Sequence, residues 1–343
     1  KKKNSDKMTN LKSYTLNNKS IMVTGGTGSF GKAFVYKTLK KFPNVKIAIY
    51  SRDEIKQWEM AHEYIGEKRI KFIIGDIRDK ERLFRALDGI DLVIHAAATK
   101  IVPIAEYNPF ECIKTNIDGA MNLIDACINK KIDRVIALST DKASNPINLY
   151  GATKLASDKL FLAANSNDKS HKTIFAVVRY GNVMGSRGSV IPYFMKLKKT
   201  GVLPVTDKRM TRFMINLDQS IDLVWKSIFD MYGGEIFIKK IPSMNILEIA
   251  KAVAPEANIN IIGIRPGEKI HEQMIGVEDA PHTIEYEGYY KILPELHGWS
   301  KDKKRIGLGR PVANDFVYES LSNSEYMTSE YLKTWIEKNI IKD

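Results

Sequence analysis

Lys142 follows directly on Thr140-Asp141 and stands eight residues before a Tyr150-x-x-x-Lys154 pair. A tyrosine and a lysine four positions apart share one face of a helix. A phenol titrates near pKa ~10, so it acts as a base near neutral pH only where cationic neighbours stabilise phenolate. Lys154 is the neighbour this spacing provides. With a hydride acceptor at hand, the pair turns an alcohol into a ketone, and Thr140 is suited to hydrogen-bond the reacting hydroxyl. Hydride transfer alone has no use for Asp141-Lys142 beside it. An acid/base pair there predicts that a neighbouring C–H and a C–O bond are broken as well. Taken alone, each motif has a plainer reading: core packing and a surface lysine for the helix pair, a turn cap and a solvated lysine for Asp141-Lys142.

Position in the chain decides between these readings. The apolar run at 20–23 suits a strand buried on both faces, and Phe34, Val35, Leu39 and Phe42 follow at helical spacing. Strands at 46–50, 70–74 and 91–96 alternate with helices at 53–64 and 80–87, and further strands follow at 134–138 and 174–180. Such alternation predicts right-handed βαβ units in an α/β, Rossmann-type, doubly wound parallel sheet. Ser139-Thr140-Asp141-Lys142 then falls where the fifth strand stops, and open α/β sheets bind ligands at the carboxyl ends of their strands. We expect a lead-in without structure over 1–18, a nucleotide-binding domain over 19–183 with a late strand returning near 235–239, a smaller substrate-binding lobe over 184–300, and a tail over 301–343.

Between the first strand and first helix lies Thr24-Gly25-Gly26-Thr27-Gly28-Ser29-Phe30-Gly31. Glycine is needed there because the backbone must turn sharply and approach a pyrophosphate, which a helix N-terminus attracts with unpaired N–H groups. Gly25, Thr27, Gly28, Ser29, Phe30 and Gly31 are therefore predicted to hold a dinucleotide. The second strand ends Tyr50-Ser51-Arg52-Asp53-Glu54, with Lys56 nearby. A carboxylate there suits the ribose hydroxyl of NAD, whereas a cation suits a 2′-phosphate. Arg52 coming first predicts NADP; the alternative is that Arg52 merely pairs with Asp53 or Glu54 on the surface.

Composition narrows the classes. The chain has 343 residues, 44% of them hydrophobic, enough for a large core. Its net charge of +13 is spread over the whole sequence, with acidic residues interspersed and no basic helix or aromatic stripe. This argues against nucleic acid as partner and for anionic small ligands. No run approaches the roughly 20 apolar residues that span a bilayer. The polar, Lys-rich start shows no signal core, so a cytoplasmic protein is expected. Cys112 and Cys127 lie far apart without metal or disulfide spacing, which predicts two reduced, buried thiols. The histidines, among them His62, His95 and His271, show no ligand spacing, so no metal is expected.

From about residue 19 to 296 the chain resembles the inverting UDP-N-acetylglucosamine 4,6-dehydratases of the extended short-chain dehydrogenase/reductase superfamily. TGGTGSFGK (24–32), YSRDE (50–54), VPIAEYNPFECIKTNI (102–117), ALSTDKASNPINLYGATK (137–154), VRYGNVMGSRGSV (178–190) and GIRPGEKIHE (263–272) carry the resemblance. Retaining relatives have glutamate where this chain has Lys142. The resemblance implies loss of water from UDP-N-acetylglucosamine with inversion at C5, the first step of pseudaminic acid biosynthesis, in a homo-oligomer such as a hexamer. It implies catalytic roles for Thr140, Asp141, Lys142, Tyr150 and Lys154, and cofactor contacts from Asp76, Ile77, Ala96 and Lys100. For substrate it points to Lys100, Arg179, Asn182, Ser186, Arg187, Arg265 and Glu268. A UDP-sugar 4-epimerase or a retaining dehydratase on the same fold is the nearest rival, and a non-catalytic NADP-binding protein a more distant one.

Overall fold

The computed structural model describes residues 14–167 and 172–340. Its centre is a ten-stranded sheet. In chain order the strands are β1 (Ser20–Thr24), β2 (Lys46–Ser51), β3 (Ile70–Ile74), β4 (Leu92–His95), β5 (Arg134–Thr140), β6 (Ile174–Tyr180), β7 (Ile236–Lys239), β8 (Thr283–Tyr286), β9 (Tyr289–Ile292) and β10 (Arg310–Pro311). Across the sheet they run 3-2-1-4-5-6-7-9-8-10. From β3 to β7 all neighbours are parallel, and the antiparallel hairpin of β9 and β8, with β10, extends that edge. Ile21, Met22, Val23, Ile136, Val177 and Phe237 are shielded from water on both faces of the sheet. Apolar runs without alternation produce this arrangement because helices cover both sides. The order reverses between β1 and β4, which opens a crevice at the carboxyl ends of the strands.

The second lobe has its own core of Met184, Phe194, Leu203, Ile249 and their neighbours. It is built on a three-stranded sheet and on the parallel pair Val202–Val205 with Asn258–Ile261. The chain crosses between the lobes more often than a boundary at 184 suggests. Helix Leu217–Asp230, started by an Asn216/Gln219 capping box, lays Trp225 against the main core, where its indole N–H donates to Thr38 Oγ1 at 3.2 Å. Strands β7 to β9 likewise belong to the main sheet.

Two expectations are corrected. The expected tail, 301–343, lies outside the described residues from 341, and as far as 340 it is no tail: β10 completes the sheet, Tyr318–Glu319 pairs with Gln273–Ile275, and helix Ser329–Asn339 puts Leu332 and Ile336 into the second core. The expected lead-in, 1–18, lies outside the described residues as far as 13, but from Tyr14 onward it is packed. Leu16 has no exposed surface and joins the main core, and the Arg134 guanidinium lies 3.9 Å from the centre of the Tyr14 ring. A single leucine gives no periodicity, so nothing in the sequence announced this. Leu16→Ala should cost roughly 2 to 5 kcal/mol, as for other buried leucines, and a urea melt would measure it. No helix among the described residues is long and apolar enough to cross a membrane.

Candidate active site

The strand ends converge on a cleft of about 780 Å³ between the lobes. At one end the glycine turn forms its floor. Gly25 has φ +66°, and a Cβ there would lie 2.9 Å from the backbone of Ala96; a Cβ on Gly31 would overlap the backbone of Gly26. The 13-residue helix Ser29–Lys41 starts at the turn with no side-chain cap. Its first N–H groups and the helix dipole thus face the cleft. Gly25, Thr27, Gly28, Ser29, Phe30 and Gly31 line it, joined by Ser51, Arg52, Asp53 and Lys56 after β2, Asp76 and Ile77 after β3, and Ala96 after β4. A glycine cradle with an uncapped helix start suits the diphosphate of a dinucleotide.

Glu54 is not part of this wall: it is exposed as the first residue of helix Glu54–Glu63. Asp53 caps that helix, accepting from the Lys56 backbone N–H at 3.0 Å and pairing with the Lys56 ammonium at 2.5 Å. Asp53 is thus engaged by Lys56, while Arg52 lines the cleft.

Thr140, Lys142, Tyr150 and Lys154 line the middle of the cleft. Helix Leu149–Asn167 carries the last two. Asn148 at its start accepts from the Gly151 N–H and donates to the Gly267 carbonyl, each at 2.7 Å, tying the helix to the 263–268 loop. The single turn Asp141–Ala143 carries Lys142, and Thr140, the last residue of β5, caps it. Adjacent residues on a strand would point apart, whereas this turn brings Lys142 Nζ to 3.0 Å from Asp141 Oδ1. Asp141 has no exposed surface and does not reach the cleft; its Oδ1 also accepts from the Thr140 hydroxyl at 3.0 Å. Glu272 is the carboxylate that does line the cleft beside Lys142, with Oε1 3.1 Å from Nζ.

Burial pushes the Asp141 carboxyl above the usual carboxylate range although Lys142 opposes it. For Lys142, burial pulls the pKa down, but Asp141 and Glu272 together outweigh it and leave it above the ordinary lysine value. Glu272 ends below its usual range: burial raises it, and Lys142 and Arg212 more than reverse that. Tyr150 is pushed up to about 12 by burial, and the cation that pulls it back is Lys142. The task expected of Lys154 falls to Lys142 here, and the Lys154 ammonium donates to the Leu138 carbonyl at 2.8 Å. Burial lowers Lys154, with Asp158 opposing.

Lys100, Asn182, Ser186, Arg187, Arg265 and Glu268 also line the cleft, and the Arg187 backbone N–H donates to Ser29 Oγ of the glycine turn at 3.4 Å. Lys100 Nζ donates to the Arg187 carbonyl at 3.1 Å, and Arg265 is paired with Glu268, Nε to Oε1 at 3.0 Å. Arg179 is a correction. It is 2% exposed on central strand β6 and lies outside the cleft wall, where it donates to the Met274 carbonyl at 2.8 Å and faces Asp158 at 3.4 Å. A central strand covered on both faces leaves its arginine no route to a ligand. Sequence reasoning missed Arg212, Lys269 and Glu272, which also line the cleft. The GIRPGEKIHE segment contains the last two, yet reads as a charged turn. Cys112 and Cys127 are free and buried, and no group of His, Cys, Asp or Glu among the described residues is placed to hold a metal.

Fold and site define the class: a doubly wound nucleotide-binding α/β protein of the short-chain dehydrogenase/reductase type, with a Tyr-x-x-x-Lys pair at the carboxyl edge of its sheet. Residues 21–294 match the family described as polysaccharide biosynthesis protein. The chain is 53% identical over 323 residues to the inverting UDP-N-acetylglucosamine 4,6-dehydratase of Campylobacter jejuni, covering 92% of this chain and 96% of that one. To a UDP-glucose 4-epimerase of Rickettsia conorii it is 43% identical over 282 residues, 80% of this chain and 82% of the other. The crystal structure of Pen from Bacillus thuringiensis superposes with a TM-score of 0.87 at 34% identity, over 95% of this chain and 99% of that one. The chain belongs to the polysaccharide biosynthesis protein family, together with the inverting UDP-N-acetylglucosamine 4,6-dehydratases.

Proposed function

We propose that the protein is an inverting UDP-N-acetylglucosamine 4,6-dehydratase, a hydro-lyase that holds NADP and regenerates it in each turnover. The observation that carries this reading is the Lys142 ammonium in the cleft wall, in the same lining as Tyr150 and Thr140. Bound NADP would accept hydride from C4 of the hexose and return it at C6. Tyr150, as phenolate, takes the proton of the C4 hydroxyl, and the resulting ketone acidifies the C5 hydrogen. Lys142, held protonated by its carboxylate neighbours until a proton passes to Asp141, then removes that hydrogen as the neutral amine. The C6 hydroxyl leaves as water, with a proton supplied by Asp141. Asp141 is walled off, and the Thr140 hydroxyl donates to its Oδ1 at 3.0 Å; we assign Thr140 as the bridge, which passes this proton outward by turning its own O–H to the sugar and accepting from the protonated carboxyl. Protonation of C5 from the opposite face by a solvent proton then inverts the centre, and Tyr150 and Lys142 release to solvent the protons they took while Asp141 regains its own.

Arg187 and Arg265 would hold the UDP diphosphate through charge-assisted hydrogen bonds. Glu268 would accept from a ribose hydroxyl once released from Arg265. Arg52 would hold the 2′-phosphate of NADP. Arg52→Ala should weaken NADP binding roughly 10- to 100-fold, the worth of a charge-assisted hydrogen bond, and leave NAD nearly unaffected. Titration of the two dinucleotides against the purified protein checks this.

The reaction belongs in the cytoplasm, where nucleotide sugar and dinucleotide are available, and its product fits the entry to pseudaminic acid biosynthesis. Ile259, Ile261 and Ile264, exposed at the edge of the second lobe, support a homo-oligomer. The likeness to a UDP-glucose 4-epimerase keeps epimerisation as a second reading, in which Tyr150 and Lys154 work and Lys142 is idle. Incubation with UDP-N-acetylglucosamine separates the two, since the dehydratase product is lighter by one water and the epimer has unchanged mass.

A further inference from the structure

Glu272 sits in the wall of the cleft beside Lys142, and no step of that reaction uses it. It is 2% exposed, and one oxygen, Oε2, is buried without a hydrogen-bond partner among the described residues. The other lies 3.1 Å from Lys142 Nζ and 3.8 Å from Arg212 Nε. Its backbone is fixed on both sides by Ser320: the Glu272 N–H donates to Ser320 Oγ at 2.9 Å, and the Ser320 N–H donates to the Glu272 carbonyl at 2.8 Å. A carboxylate this far from water keeps its charge only against cations.

We propose that Glu272 is a positioning residue that holds the Lys142 amine at the cleft surface and sets the pH at which that amine becomes a base. This rests on the reading of Lys142 as the C5 base. The geometry is a single ammonium between two carboxylates, Asp141 at 3.0 Å on the buried side and Glu272 at 3.1 Å in the cleft wall. Asp141 alone would draw the amine back into the wall, and Glu272 balances that pull. The other charged or titratable groups around Lys142 are Arg212 on strand Thr211–Ile215, Lys269 on the loop before Glu272, and Tyr150 on its helix. Lys269 is held away from the pair by its own bond to the Ser144 carbonyl at 2.8 Å. Every anion beside an amine favours its protonated form, so Glu272 keeps Lys142 charged to higher pH than Asp141 would alone.

The test is the pH dependence of solvent deuterium entry at C5 of UDP-N-acetylglucosamine, measured by NMR on the full-length protein with NADP. A base works deprotonated, so exchange rises with pH through the pKa of Lys142. Glu272→Gln removes a charge and nothing else of that size, so the acidic limb should move down by about one pH unit. Glu272→Asp keeps the charge but withdraws it, so the limb should stay near its original position while the rate falls. A limb that is unmoved or raised in Glu272→Gln overturns the proposal. Should Glu272→Gln not fold, Glu272→Asp decides: reduced exchange at an unshifted limb supports positioning, and full exchange overturns it. If the unaltered protein releases no water from the sugar, the dehydratase reading itself falls and this proposal with it. Water loss with deuterium entry in the unaltered protein, but no response at residue 272, removes Glu272 alone.

Discussion

Lys142→Ala should stop solvent deuterium from entering C5 and should lower water loss about 1,000-fold, the middle of the range for a positioned acid/base group. The first half of the reaction should survive. Tyr150 and Lys154 remain on their helix, so the C4 hydroxyl is still oxidised and a reduced dinucleotide accumulates, visible by its near-ultraviolet absorbance. The structure sharpens this expectation, because Lys142 is also the cation that lowers the Tyr150 phenol. Oxidation at C4 should therefore need a higher pH in the variant than in the unaltered protein. Undiminished exchange at C5 in Lys142→Ala would remove the lysine from the role of base.

Tyr150→Phe should abolish the reaction at its first step, again by about 1,000-fold, and leave no reduced dinucleotide behind. The two variants differ in kind: one stalls after hydride has left C4, the other before. Tyr150 is 9% exposed and its ring packs against Ala105 and Cys112, contacts that phenylalanine preserves, so stability should barely change. Equal absorbance changes in both variants would show that the phenol is not the base at C4.

Much of this arrangement was legible in the residues because it is local. The unbroken apolar runs of β1 and β5, the glycines at 25, 28 and 31, and the four-residue spacing of Tyr150 and Lys154 each fix a nearby geometry, and the strand ends then bring them to one crevice. What was not legible depends on contacts distant in sequence. Glu272 meets Lys142 only because the 263–272 loop folds back over the carboxyl edge of the sheet, and its segment reads as an ordinary charged turn. Arg179 looked like a ligand for an anion; that it points to Asp158 follows from which face of β6 it occupies, which spacing alone does not reveal. Leu16, Leu332 and Ile336 are single or weakly periodic residues whose burial depends on surfaces formed elsewhere.

Ser320 belongs to the stretch expected to be a tail, yet it grips the backbone of Glu272 from both sides and shares a hydrogen bond with Thr211, next to Arg212. That C-terminal stretch is thereby mechanically joined, through Glu272, to the Lys142 side chain proposed as the base. Hybrids that exchange this terminal stretch between relatives should inherit the donor's acidity optimum, even when every side chain facing the nucleotide sugar is left as it was.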